Sequence, residues 1–157
     1  MESQPVFRIL FLCHGNICRS PMAEFVMKEL LRQAGITNIQ VESGALHTDE
    51  IGNDIHPGTR AKLREEGIPF QPRAAGLLDS RKAREYDMLI GMDRYNRRDL
   101  ERMLPASEHW RIHLLLEWSP RPRNIADPWY TGNFEETYQD VLEGCQQLLE
   151  HLQQTIL

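Results

Sequence analysis

The stretch Arg8-Ile9-Leu10-Phe11-Leu12-Cys13-His14-Gly15-Asn16-Ile17-Cys18-Arg19-Ser20-Pro21 decides how this chain is read. Ile9 to Leu12 is an unbroken apolar run, the pattern of a buried strand. Gly15 and Asn16 then mark a loop, and an amphipathic segment opens at Ser20-Pro21. A loop between the carboxyl end of a strand and the amino end of a helix points backbone N–H groups at a common centre. With the helix dipole added, that centre is a ready anion site. This loop begins with a cysteine and carries an arginine six residues on, so the residues point to cysteine chemistry on a phosphate.

Each side chain has a physical reason to be there. A free cysteine, with a pKa of about 8.5, is mostly thiol at neutral pH and a poor nucleophile. Converging N–H groups and the adjacent Arg19 favour the thiolate of Cys13. Arg19 offers a planar fork that holds two phosphate oxygens at once. Gly15 and Asn16 tolerate the left-handed backbone of a tight anion loop. Ser20 is a good N-cap, and its hydroxyl can also donate to the cysteine sulfur; the two roles stay open. The bare C-x5-R pattern is weak, and the strand before it and the helix after it add most of its weight.

The helix is expected from Ser20 to about Ala34, with Met22, Phe25, Val26 and Leu30 as its apolar stripe and Gly35 as its stop. Ile39–Ser43 reads as a second strand, which completes a right-handed parallel crossover. His47–Ile55 reads as loop, Pro57–Glu66 as a short helix and Ser80–Glu85 as a helical turn. Asp87–Gly91 is a third strand, a helix follows to about Met103, and Ile112–Leu116 is a fourth strand. Glu117–Gly132 is expected to be loop, long enough to suggest function. From Phe134 onward Tyr138, Val141, Leu142, Cys145, Leu148, Leu149 and Leu152 form the clearest helical stripe in the chain. Alternating strands and helices imply an α/β fold: one three-layer domain over residues 1–157, core about 8–152, with a four-stranded parallel sheet flanked by helices on both faces. Ligands sit beyond the carboxyl ends of such strands, so Cys13, Ser43, Gly91-Met92-Asp93 and Leu116 are expected along one edge.

Composition narrows the partners. With 41% hydrophobic and 26% charged residues the chain is an ordinary globular one. A formal charge of −5 argues against nucleic acid or an anionic membrane as the main partner. Arg94, Arg97, Arg98 and Arg102 recur at helical spacing, and their plain reading is a solvated helix face. No apolar run approaches the ~18 residues of a membrane span, and Met1–Pro5 has no signal-peptide character. Three cysteines are too few for a disulfide scaffold and lack zinc spacing. A reducing, cytoplasmic setting, a monomer, and no metal or cofactor are expected.

Taken together, Cys13-x-Gly15-Asn16-Ile17-Cys18-Arg19-Ser20-Pro21, Val41-Glu-Ser43, Glu50-Ile-Gly52-Asn53, Gly67-Ile-Pro69, Met92-Asp93 and Asp127-Pro128-Trp129-Tyr130 resemble the signatures of the low-molecular-weight protein tyrosine phosphatases. The resemblance runs from Arg8 to about Leu152. It implies a tyrosine-phosphorylated protein as substrate and a phosphocysteine formed on Cys13. It also implies Asp127 as general acid and then general base, and a phosphate cradle from His14, Gly15, Asn16, Ile17, Cys18, Arg19 and Ser20. Trp129 and Tyr130 match the family's aromatic wall, with core or loop packing as their plainer reading. Asn16 and Ser43 match positions that support the loop by hydrogen bonds. Cys18 invites a protective disulfide with Cys13 or is a small buried side chain; Cys145 reads as structural.

The chain also departs from the family. His14 replaces a usually apolar residue and is expected to add a titrating positive charge at the rim below about pH 6.5. Asp49 stands where an aromatic residue commonly forms the other cleft wall, so weaker discrimination for aryl phosphates is expected. Pro72 and Ala75 replace the family's histidine and arginine, which puts the usual supporting contacts in question, although Arg73 is near. Phosphoarginine hydrolases of the same fold characteristically have threonine at the position of Ile17, and the bulkier Ile17 favours phosphotyrosine. Arsenate reductases need further shuttling cysteines that Cys145 cannot supply. A phosphocarrier domain has no use for Arg19 together with Asp127, and an inactive binding module would lack one of the essential residues.

Overall fold

The computed structural model describes residues 6–156; Met1–Pro5, read above as lacking signal character, and Leu157 lie outside them. The chain runs β1 (Phe7–Cys13), α1 (Arg19–Gln33), β2 (Ile39–Ala45), α2 (Pro57–Glu65), α3 (Ser80–Ala83), β3 (Met88–Gly91), α4 (Arg94–Met103), β4 (Ile112–Leu114), α5 (Pro128–Thr131) and α6 (Phe134–Thr155). Two 3-10 segments, Ala106–Arg111 and Leu115–Trp118, flank β4. No helix among the described residues is long and apolar enough to cross a membrane.

All four strands are parallel, in the order β2-β1-β3-β4. β1 is central, which is why its sequence is apolar on both faces rather than alternating. Ile9, Phe11 and Cys13 point into a core shared with α1 and α6, through Met22, Val26, Val141 and Leu148. Leu10 and Leu12 point the other way, toward Ala83, Leu100 and Leu104 beside α3 and α4. The result is the three-layer arrangement expected from the alternation of elements. The register pairs Cys13 with Ala45, Leu12 with Gly91, and Gly91 with Leu114. The carboxyl ends of all four strands therefore reach one edge together.

Three expectations need correction. β4 stops at Leu114 rather than Leu116. Leu115 and Leu116 are both buried in the same core, which successive residues of a strand cannot achieve because their side chains face opposite ways; a 3-10 turn carries both inward. The segment 117–132 is not all loop: Leu115–Trp118 extends into it, and Asp127 caps α5. Ser20 is not the N-cap of α1. Cys18 holds that position without a side-chain cap, and Ser20 lies inside the helix with its hydroxyl engaged elsewhere.

Candidate active site

Cys13 ends β1 and is buried, and the loop that follows is held from outside through its carbonyls. The carbonyl of Cys13 accepts from the Leu46 N–H, that of His14 from Leu46 and His47, and that of Ile17 from His56. The Asn16 carbonyl accepts from the Arg73 guanidinium, and the Cys18 carbonyl from the Thr59 hydroxyl at 3.5 Å. Because each peptide is planar and trans, a carbonyl turned outward turns the next residue's N–H the opposite way. The N–H groups of His14, Gly15, Ile17, Cys18 and Arg19 are thus directed to the concave side of the loop. Asn16 alone takes the left-handed backbone, at φ +60°. Gly15 does not, which corrects the expectation. Its reason is space: a Cβ there would stand 3.0 Å from Cγ of Glu50.

Asn16 also orders the nucleophile. Its Oδ1 accepts the Gly76 N–H at 3.3 Å, which fixes the amide so that Nδ2 donates to Ser20 Oγ at 2.9 Å. Ser20 Oγ lies 3.0 Å from Cys13 Sγ. With a donor already pointed at its oxygen, the Ser20 hydroxyl proton is left for the sulfur.

Arg19 is 3% exposed, and it brings distant segments together. It donates to Asp93 Oδ2 at 2.6 Å and to the Ile125 carbonyl at 3.0 Å. Its other terminal nitrogen stands 3.5 Å from Asp127 Oδ2. Burial works to discharge Arg19, but the Cys13 anion and Asp93 outweigh it and raise its pKa. Asp93 is held by its own capping box at the start of α4. Asp127 caps α5 by accepting the Trp129 N–H at 3.0 Å, so the turn-forming and site-facing readings of this residue coexist. The cleft above the loop measures about 730 Å³. Trp129 and Tyr130 line it and are largely exposed, with Trp129 set edge-on to the His56 ring.

The sequence matches the family profile described as low molecular weight phosphotyrosine protein phosphatase across residues 8–156. The chain belongs to that family. The low molecular weight protein-tyrosine-phosphatase YfkJ of Bacillus subtilis is 38% identical over 92% of this chain and 95% of its own. The crystal structure of YfkJ superposes with a TM-score of 0.94, covering 99% of this chain and all of that one. The low molecular weight protein-tyrosine-phosphatase PtpA of Staphylococcus aureus is 32% identical over 92% of each chain. DARP, described as a Drosophila arginine phosphatase, has a TM-score of 0.84 at 28% identity, covering 91% of this chain and 96% of that one.

Within this phosphatase fold, the residues that depart from the family pattern turn out to be linked. His14 Nε2 lies 2.6 Å from Asp49 Oδ2, and the His14 ring stacks on His47 at 4.2 Å. His47 in turn bonds Asp99 at 2.8 Å. Any positive charge on His14 thus meets the Asp49 carboxylate at the rim. Asp49 does not leave its side of the cleft bare either, because it holds the His14 ring there. The hydrogen bond from His14 lowers the Asp49 pKa.

Support for the loop also differs from expectation. Among the described residues Ser43 makes no side-chain hydrogen bond to the loop; its hydroxyl donates to Glu24 of α1 at 2.5 Å. Arg73, noted above as lying near the replaced positions, does. It donates to the Asn16 carbonyl and, at 3.3 Å, to that of Asn53. Burial lowers the Arg73 pKa, while the negative charges of Glu24, Cys13 and Asp54 oppose the change. Asp93 is at the sheet edge, as expected with Gly91 and Met92, and there it bonds Arg19. No local pattern marks Arg73 as a support of the loop or Asp93 as the partner of Arg19. Cys18 is buried, and burial followed by the nearby Cys13 anion pushes its thiol up to about 12. Cys145 is fully buried in the core, and burial raises its pKa as well.

Proposed function

We propose that this protein hydrolyses phosphotyrosine in proteins through a phosphocysteine on Cys13. The observation that carries the reading is the meeting of Asp127 with Arg19 at 3.5 Å, beside the loop that Cys13 begins. The loop N–H groups and the Arg19 fork bind the phosphoryl oxygens and the charge that builds on them during transfer. The Cys13 sulfur attacks phosphorus as the phosphorus–oxygen bond to the tyrosine breaks. Asp127, protonated at this step, gives its proton to the leaving phenolate oxygen. General acid help of this kind is typically worth ~10²–10⁴-fold.

In the second step the Asp127 carboxylate takes a proton from water as the water oxygen attacks phosphorus. The phosphorus–sulfur bond breaks, its electron pair returns to Cys13, and inorganic phosphate is released. Ser20 donates a hydrogen bond to the departing sulfur. Trp129, Tyr130 and the ring of His14 held by Asp49 flank the tyrosine ring, and no step calls for a metal or cofactor. The same reading takes the enzyme as a monomer in the reducing cytoplasm, where Cys13 stays reduced.

The test is a panel of phosphotyrosine, phosphoserine and phosphoarginine substrates against wild type, Cys13→Ser and Asp127→Asn. Phosphotyrosine is expected to be preferred. Cys13→Ser should abolish turnover, and Asp127→Asn should slow aryl esters with poor leaving groups most. Activity surviving Cys13→Ser would refute the reading. A preference for phosphoarginine would move the enzyme to that substrate class, which Ile17, buried against Ala75 and Cys18, argues against.

A further inference from the structure

The cleft, at about 730 Å³, is larger than a phosphotyrosine side chain requires, and α4 supplies part of its lining. Arg98 and Arg102 line the cleft together with Tyr95, on the side that begins with Asp93. They belong to the arginine series that a sequence reading assigns to a solvated helix face. Both are exposed, but the face they form borders the site.

The contacts made by the charged side chains of the cleft give this face a direction. Each carboxylate that lines it already has a partner. Asp49 is bonded to His14, Glu50 to Asn53, and Asp99 to His47. Asp93 and Asp127 stand against Arg19. Arg98 has no carboxylate partner among the described residues and only rests over the Tyr95 ring, 5.7 Å from its centroid. Arg102 reaches Asp99 at 3.8 Å with its side chain 78% exposed, a loose contact of the kind that contributes little. Arg98 is therefore the charged side chain of the cleft that no hydrogen bond or ion pair engages among the described residues, and it sits on α4.

From these observations we infer that Arg98, assisted by Arg102, forms a subsite for an acidic side chain of the substrate polypeptide near the phosphotyrosine. The inference rests on the functional reading above and narrows its substrate class to phosphotyrosine sequences with neighbouring glutamate or aspartate. The spacing is suitable. At about 1.5 Å rise per residue, Arg98 and Arg102 stand about 7.5 and 13.5 Å along the helix from Asp93. An extended peptide advances about 3.3 Å per residue, so residues two to four positions from the phosphotyrosine come within reach. Arginine suits the task because its fork accepts a carboxylate in a bidentate pair.

The experiment compares kcat/KM for three phosphotyrosine peptides of equal length, with Ala, Glu or Lys at the positions two to four residues from the phosphotyrosine on both sides. Free phosphotyrosine is run alongside. Wild type is expected to favour the Glu peptide over the Ala peptide by about two- to fivefold, as exposed ion pairs allow. The preference should shrink near ~1 M salt, where the Debye length falls to about 3 Å. Arg98→Glu is expected to reverse the order of the Glu and Lys peptides, and Arg98→Lys to keep it. Equal rates for the Glu and Ala peptides in wild type would overturn the inference, as would a preference that Arg98→Glu leaves unchanged. Turnover of free phosphotyrosine reads the functional proposal alone. Its absence refutes that proposal, whereas its presence with a flat peptide series refutes only the subsite.

Discussion

Removing the Ser20 hydroxyl isolates one step of the proposed reaction. In Ser20→Ala the Cys13 sulfur loses the one hydroxyl within 3.0 Å of it. The orientation of Asn16, fixed by the Gly76 N–H, leaves that hydroxyl as the donor. A hydrogen bond to a charged acceptor is worth about 1.5–3 kcal/mol. At 1.36 kcal/mol per factor of ten, its loss slows the expulsion of the thiolate about 10- to 100-fold. Formation of phosphocysteine does not expel sulfur and should slow less. The assay is rapid mixing with an aryl phosphate, following release of the phenol. Ser20→Ala is expected to give a burst close to one equivalent of enzyme and then a steady rate about 10- to 100-fold below wild type. The variant should also lose about 1–3 kcal/mol of stability, because Asn16 Nδ2 is left buried without an acceptor. A slowed first turnover with no burst would refute the assignment of Ser20 to the second step. An unchanged steady rate would refute any role for it at the sulfur.

Other outcomes follow from the packing and the charges. Gly144→Ala places a Cβ 2.5 Å from Cγ of Leu115, where α6 crosses the 3-10 turn. Overpacking there should cost about 1–3 kcal/mol, read as a lower midpoint in urea, and an unchanged midpoint would show that the contact relaxes freely. At neutral pH a limiting amount of iodoacetamide should label Cys13 and spare Cys18, whose thiol ionises only near pH 12. Equal labelling of the two cysteines by peptide mass spectrometry would contradict that. Glu42 is half-buried, and burial raises its pKa, but hydrogen bonds from Tyr86 and Arg8 outweigh burial and lower it overall. A lowered carboxylate pKa stabilises the fold above the usual carboxylate range and ceases to do so as pH falls through the folded value. The difference in Tm between wild type and Glu42→Gln should accordingly be present at neutral pH and close in acid. A difference independent of pH would rule this out.

Local chemistry made much of the molecule legible in advance. The apolar run Ile9–Leu12, closed by the Gly15-Asn16 loop, has the pattern of a strand buried on both faces, and the stripe from Phe134 to Leu152 that of a helix packed along one side. The cysteine, arginine and serine of the loop, together with the Asp127-Pro128-Trp129-Tyr130 segment far along the chain, were enough to point to the family. The boundaries that failed did so where tertiary packing overrode local pattern. Leu115 and Leu116 look like a continuing strand, but α6 offers both of them one core. Ser20 looks like a cap until Cys13 and Asn16 claim its hydroxyl.

What the chain alone determined was therefore the set of elements and the chemistry of the loop, because periodicity and residue type act over a few positions. Only the tertiary structure decided the partners. The Arg73 contact with Asn16, the Asp93 and Asp127 contacts with Arg19, and the pairing of His14 with Asp49 each join residues more than 30 positions apart. No periodicity encodes such meetings. They arise because the four parallel strands end at one edge, where the segments that follow them meet. The same geometry turns Arg98 and Arg102 from residues of a solvated helix face into residues that border the cleft.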